Sequence, residues 1–253
     1  MAEQKEMGFF DHLEELRWRL LKAIASIITI AIVVFFVSDQ ILEFLIKPLD
    51  KLPFPVALQF LKVQGMFTIK LEIALVLGLF LGTPVIIFQI WQFLSPGLKK
   101  KERRYAPAVI LSFILCFGSG AIFAYTIVFP YALEFLLGMG TEGIKANIDI
   151  SAYVGFFLRL IVAFGIVFEM PVLAFILTKM GILTPWLMRR YRSYAIVSIF
   201  VLAAILTPPD AITQVMLGVP LWILYEFSIG ISTYFIDPEK KQAHKEEKLK
   251  EKK

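Results

Sequence analysis

The chain has 253 residues, of which 58% are hydrophobic and 19% charged, with a formal net charge of +5 and a mean hydropathy of +0.74. Soluble domains run at about 45–50% apolar, and a membrane crossing needs roughly 20 apolar residues to cover about 30 Å of hydrocarbon. Ile73–Leu94 and Ala106–Leu133 carry no charge, and Ile150–Thr178 holds only Arg159 and Glu169, so an ordinary soluble protein is excluded and a polytopic membrane protein is indicated.

In chain order, the opening MAEQKEMGFFDHLEELRWRL is polar and mixed in charge, with no apolar h-region or small-residue cleavage site ahead of the first span. That pattern points to a prokaryotic cell membrane rather than to a leader or organellar transit peptide. Within it, Leu13, Leu16 and Leu20 share one helical stripe, with Glu15 and Arg17 off it, as in an interfacial helix leading into span one at about 20–37. The aliphatic stem of Lys22 can reach back to the interface. The following segment, 38–66, reads as an external cap: a short amphipathic helix over Asp39–Ile46 ended by Pro48, then Pro53 and Pro55.

Span two is expected at about 70–94 and span three at about 106–130. Between them, QFLSPGLKKKERRY sets Glu102 among five cations, any of which can pair with it. Span four, about 151–178, contains AFGIVFEMPVLAF, in which Glu169 has no charged neighbour within nine positions. Pro171 frees a backbone carbonyl on the preceding turn, bending the helix or letting Glu169 bond locally.

Spans five and six, about 194–207 and 213–230, are short, and fourteen helical residues cover only about 21 Å. LTPPDAITQ breaks between them, where Asp210 or Thr213 can cap the next helix. One edge of the bundle is therefore expected to be thin. Residues 236–253 read as a disordered basic tail.

Lys and Arg number four up to Lys22, five in Ser95–Tyr105, four in Lys179–Arg192 and seven after Phe235. The alternate segments hold three (Ser38–Met66), one (Pro130–Asp149) and none (Pro208–Thr213). The positive-inside bias then gives six spans with both ends cytoplasmic. It also accounts for the sequence pI of about 9.2 without any nucleic acid.

No phosphate loop, zincin pattern or membrane-depth nucleophile–base pair is present, and the two histidines, His12 and His244, lie outside the spans. The single Cys116 cannot form an internal disulfide. Neither an enzyme nor a bound cofactor or metal is expected. An ionisable residue at membrane depth marks a functional site by default, which singles out Glu169. Arg159 is not its mate, since ten residues separate them by about 15 Å along a helix and roughly 80° around it.

HLEELRWRL, TPVIIFQIWQFLSPGLKKKERR, GAIFAYTIVFPYALEFL, FGIVFEMPV and LTPPDAITQ, in this order from about Phe10 to Phe235, resemble TatC, the polytopic core of the twin-arginine protein translocase. The resemblance implies an all-α bundle of six transmembrane helices, concave and glove-like, with the last two short. It implies a receptor and scaffold that recognises twin-arginine signal peptides of folded cargo, driven by the proton-motive force. The family's signal-peptide glutamates fall on Glu15 and Glu102, with Arg17 and Phe93 in the same region. A carboxylate takes a guanidinium through two parallel hydrogen bonds, which lysine cannot reproduce.

Thr207 and Gln214 match the patch that receives the single-span partner TatB or TatA, and Glu169 matches the buried glutamate of the groove. Pro48, Pro84, Pro171, Pro209 and Asp210 fall on structural and cap positions, and self-association is implied. The family's Pro-x-Glu pattern ahead of span two is replaced here by Val63-Gln64-Gly65, so no site is carried there. The rival reading from another class is a proton-coupled secondary transporter using Glu169. Such transporters commonly show internal repeats, and no duplicated half is visible.

Overall fold

The structure is a computed structural model that describes residues 9–52, 56–94, 106–138, 146–207, 211–236 and residue 242. Glu102, Pro53, Pro55, Pro209, Asp210 and the tail from residue 237, residue 242 apart, lie outside the described residues. Five stretches are long and apolar enough to cross a membrane: His12–Phe36, Gly65–Phe93, Pro107–Gly138, Ile150–Lys179 and Ala211–Phe235. A sixth apolar helix, Arg192–Leu206, is shorter. The chain is thus a polytopic helical membrane protein. The described residues fall into two compact units, one within Met1–Ile114 and Met139–Leu158, the other within Leu115–Gly138 and Arg159–Lys253.

In the first unit, α1 (Phe9–Phe36) packs along α3 (Gly65–Leu94). Lipid tails are as apolar as Leu, so membrane helices associate by close packing, and small residues permit it. Gly78 and Gly82 supply that seam: a Cβ on Gly78 would stand 2.9 Å from the Ile27 carbonyl and 2.9 Å from the Ala31 Cβ. At Gly82 the nearest atom would be Ile27 Cγ1 at 3.5 Å, an ordinary contact. Ala31, Val34 and Ala74 are buried together at this interface.

The segment after α1 folds onto the same unit. Helix α2 (Ser38–Ile46) runs into a 3-10 turn, Lys47–Lys51, whose start holds the buried Pro48. Proline fits that place because its missing amide would be unpaired there in any case. Leu42, Leu45 and Leu49 are buried beneath it, and the Lys70 ammonium lies 2.7 Å from Asp39. The buried Tyr153 hydroxyl donates to the Leu45 carbonyl at 2.8 Å. Strand β1 (Val56–Gln59) pairs in parallel with β2 (Ala146–Asp149), a small two-stranded sheet added to the expected all-α fold. Four-residue strands leave too little alternation to be read from sequence, and the pairing satisfies backbone groups between helices.

In the second unit and at its edges, the third membrane run is α4 (Ala106–Phe123), a π-helical turn (Ala124–Val128) and α5 (Phe129–Gly138). The helix therefore passes Pro130, where span three was expected to stop. Pro130 cannot donate to the preceding turn, and the register widens so that Phe129 N–H reaches the Ala124 carbonyl. The fourth run is α6 (Ile150–Val167) and α7 (Met170–Lys179), with a two-residue break between them.

A short α8 (Pro185–Arg190) follows, then α9 (Arg192–Leu206) and α10 (Ala211–Phe235). The expectation that the last two helices are both short holds only for α9, since α10 has 25 residues. Pro220 and Glu226 interrupt the hydropathy of α10 but not its backbone. Arg192 neutralises Glu226, with Nε 2.7 Å from Oε1 and Nη2 donating to Oε2 at 2.8 Å. Inside this unit α10 packs on α7, where the buried Thr178 and Ser232 hydroxyls meet at 2.7 Å.

The glycine seam gives a direct test. Gly78→Ala is expected to destabilise the detergent-solubilised protein by about 1–3 kcal/mol, because backbone on α1 must move. Gly82→Ala is expected to be neutral or stabilising by up to about 1 kcal/mol through helix propensity. Thermal unfolding of the two variants checks the order, and equal loss in both would remove the seam's asymmetry.

Candidate functional site

Three polar sites stand out against the apolar background. The first lies in the opening turns of α1. Glu15 and Arg19 are four residues apart on one helical face, the spacing at which side chains meet. Arg19 Nε donates to Glu15 Oε1 at 2.9 Å, Nη2 donates to the same oxygen, and Nη1 donates to Gln92 of α3. Arg19 therefore bridges the two helices. Glu15 Oε2 has no hydrogen-bond partner among the described residues, and His12 Nδ1 stands 3.6 Å from it. The His12 ring stacks on Phe93 with centroids 4.3 Å apart and planes 11° apart. Arg17 lies two positions from Glu15, which turns it to another face, where it is exposed.

The second site is the break in the fourth run. Pro171 is the second residue of α7 and cannot donate to the Val167 carbonyl. The chain answers with a tighter turn: Glu169 N–H donates to the Ile166 carbonyl at 3.1 Å, and α7 restarts with Leu173 N–H on the Glu169 carbonyl at 2.9 Å. Glu169 is only 7% exposed, and neither of its carboxylate oxygens has a hydrogen-bond partner of normal geometry among the described residues. The backbone of Phe117 faces it. Close packing fixes this pocket: a Cβ on Gly120 would stand 2.5 Å from the Phe164 carbonyl, and Gly165 abuts the Phe117 ring. Phe123, Phe164 and Phe168 pack beside it, with centroids 5.5–6.2 Å apart.

The third site joins α9 to α10. Thr207 ends α9, is buried, and donates its hydroxyl to the Ala203 carbonyl at 2.8 Å. Gln214 Nε2 donates to the Phe200 carbonyl at 2.9 Å, tying the first turn of α10 back to α9.

The family model described as Sec-independent protein translocase protein (TatC) matches residues 11–220. The chain belongs to the TatC family. It is 40% identical over 237 residues to the TatC of Carboxydothermus hydrogenoformans, covering 93% of this chain and 96% of that one. It is 40% identical over 225 residues to the TatC of Aquifex aeolicus, covering 88% and 93% of the two chains. Identity to the TatC of Escherichia coli K12 is 35% over 237 residues, covering 93% and 92%. A solved structure, the twin arginine translocase receptor TatC, superposes with a TM-score of 0.82 at 38% identity, over 88% of this chain and 99% of that one.

This TatC-family structure brings Glu15 and Phe93 together through His12, and sets Thr207 and Gln214 at one helix junction. Arg19, His12 and Gln92 belong to the first cluster and were not singled out from sequence. The signal was present in the spacing: His12, Glu15 and Arg19 recur at three and four residues, the interval that aligns a helix face. The Gly78-x-x-x-Gly82 repeat on α3 was equally legible as a close-packing motif.

A buried carboxyl group with no hydrogen bond of normal geometry among the described residues costs stability whichever protonation state it adopts. Glu169→Met, a change of similar length with no polar atoms, is expected to raise stability in detergent by about 1–3 kcal/mol. A fall in the unfolding midpoint would show that the carboxyl group has a stabilising partner.

Proposed function

We propose that the chain is the receptor and scaffold subunit of a twin-arginine translocase. It sits in the prokaryotic cytoplasmic membrane with its amino- and carboxy-terminal segments on the cytoplasmic side, the orientation that the Lys/Arg asymmetry favours. The observation that carries the reading is the half-used carboxylate of Glu15. One oxygen is held by Arg19, and the other is buried and faces His12 Nδ1 at 3.6 Å, a loose contact that a second cation can displace. An incoming arginine can replace or join Arg19 through parallel charge-assisted hydrogen bonds. Phe93, already stacked on His12, offers the flat surface next to which an apolar stretch of the signal peptide can pack. Glu102 acts as the second carboxylate and Arg17 borders the site.

Glu169 forms the deep polar point of the groove in which the signal or partner helix lies. Thr207 and Gln214 form the contact for a single-span partner of the TatA or TatB kind. Their hydrogen bonds to Ala203 and Phe200 hold the α9–α10 junction in a fixed geometry for that helix. Folded cargo is then moved at the expense of the proton-motive force.

Crosslinking and binding of a twin-arginine signal peptide test this. Glu15→Gln removes a charge-assisted contact of about 1.5–3 kcal/mol, a loss of roughly tenfold to a hundredfold in affinity. Arg19→Gln is expected to strengthen binding, because it releases the competing internal guanidinium. A twin-lysine peptide is expected to bind more weakly in the wild type. Equal binding of both peptides, with no response to Glu15→Gln, would sink the recognition reading.

A further inference from the structure

An open cleft of about 320 Å³ lies in the second unit among α7, α8 and α10, its wall starting at Met170 next to Glu169. Its wall is almost wholly apolar, with Met170, Leu173 and Leu177 on one side and Leu187 and Tyr191 on another. Two of the three polar side chains in the wall, Tyr225 and Ser228, are already engaged, and the third, Tyr191, is half-exposed. Tyr225 donates its hydroxyl to the Met188 carbonyl at 2.8 Å, and Ser228 donates to the Leu224 carbonyl at 2.8 Å. The cleft therefore suits hydrocarbon.

Its α8 end is cationic. Arg189 and Arg190 close α8 and are exposed, and Arg189 Nη2 reaches Thr233 Oγ1 at 3.5 Å. Thr233 lies five residues beyond Ser228 on α10, which is about 7.5 Å further along the helix. The Lys179 ammonium sits 5.8 Å above the Phe235 ring at the same end of α7. Among the described residues α7 and α8 contain no acidic residue, and the one carboxylate of α10, Glu226, is held by Arg192. An apolar trough with guanidinium groups at one end that no described carboxylate offsets is complementary to an amphiphile with a single anionic head.

We propose that this cleft binds an anionic phospholipid, with one acyl chain along Met170, Leu173 and Leu177 and the headgroup phosphate on Arg189 and Arg190. Basic pockets between membrane helices recognise anionic headgroups in this way. Guanidinium suits the task because its fork matches two phosphate oxygens. The site needs no signal peptide, so it stands or falls separately from recognition at Glu15.

The test uses the full chain purified from mixed phosphatidylglycerol and phosphatidylcholine vesicles, with bound lipid read by native mass spectrometry. The wild type is expected to retain phosphatidylglycerol in preference to phosphatidylcholine. Each of Arg189→Gln and Arg190→Gln is expected to lower that preference roughly fivefold. Leu173→Trp, a change at a half-exposed wall position that leaves the arginines in place, is expected to reduce phosphatidylglycerol retention by narrowing the trough. Equal retention of the two lipids by the wild type overturns the proposal, as does a preference unchanged in all three variants. Displacement of the lipid by free glycerol phosphate as readily as by phosphatidylglycerol overturns the acyl-chain assignment. A photo-crosslinker at Leu173 that labels a single-span protein in place of lipid assigns the cleft to a partner helix instead.

Discussion

A proline inside a membrane helix removes an amide donor where no water can replace it, and this chain places four of them in the interior of its described spans. The bilayer requires backbone polar groups to be satisfied within the protein, so each proline forces a local solution. Pro84 and Pro220 are absorbed inside α3 and α10. Pro130 is absorbed by a π-turn. Pro171 interrupts the helix outright, and Glu169 becomes the residue that leads into α7. The buried carboxyl and the restart of α7, whose first turn lines the lipid cleft, both follow from that missing donor.

Small residues set the second constraint. With no hydrophobic driving force between helices in lipid, attraction comes from close contact. Gly78 lets α1 and α3 approach to backbone distance, and Gly120 does the same against Phe164. The first seam aligns the opening turns of α1 with the end of α3, so Arg19 reaches Gln92 and His12 lies flat on Phe93. The second encloses Glu169. Polar function in both units thus rests on glycines that carry no chemistry themselves.

Both candidate sites hold groups that are costly to the fold. A buried carboxyl group and a single carboxylate oxygen, both without hydrogen bonds of normal geometry among the described residues, are unfavourable in isolation. Strained or unsatisfied groups persist where the surrounding packing over-determines them, and such places coincide with function. Arg19 moderates the first cluster by neutralising Glu15 without filling it.

Much of the architecture was legible in the sequence. The length and spacing of the apolar runs dictate a polytopic helical protein, because nothing shorter crosses the bilayer. The run of motifs from HLEELRWRL to LTPPDAITQ carried the family, and the isolation of Glu169 singled it out as a candidate site. Local pattern could not reveal what depends on partners distant in the chain. Pro220 and Glu226 lower the hydropathy of α10, so hydropathy alone made the helix too short, and the structure pairs Glu226 with Arg192, 34 positions away. The β1–β2 pair joins segments some 90 residues apart, and neither strand is long enough to show its period. The choice of Arg19 over Arg17 as the partner of Glu15 was fixed by helical facing and by Gln92 on another helix. Sequence sets which groups must be buried or paired. Only tertiary structure decides which group pairs with which, because that depends on contacts made across the fold.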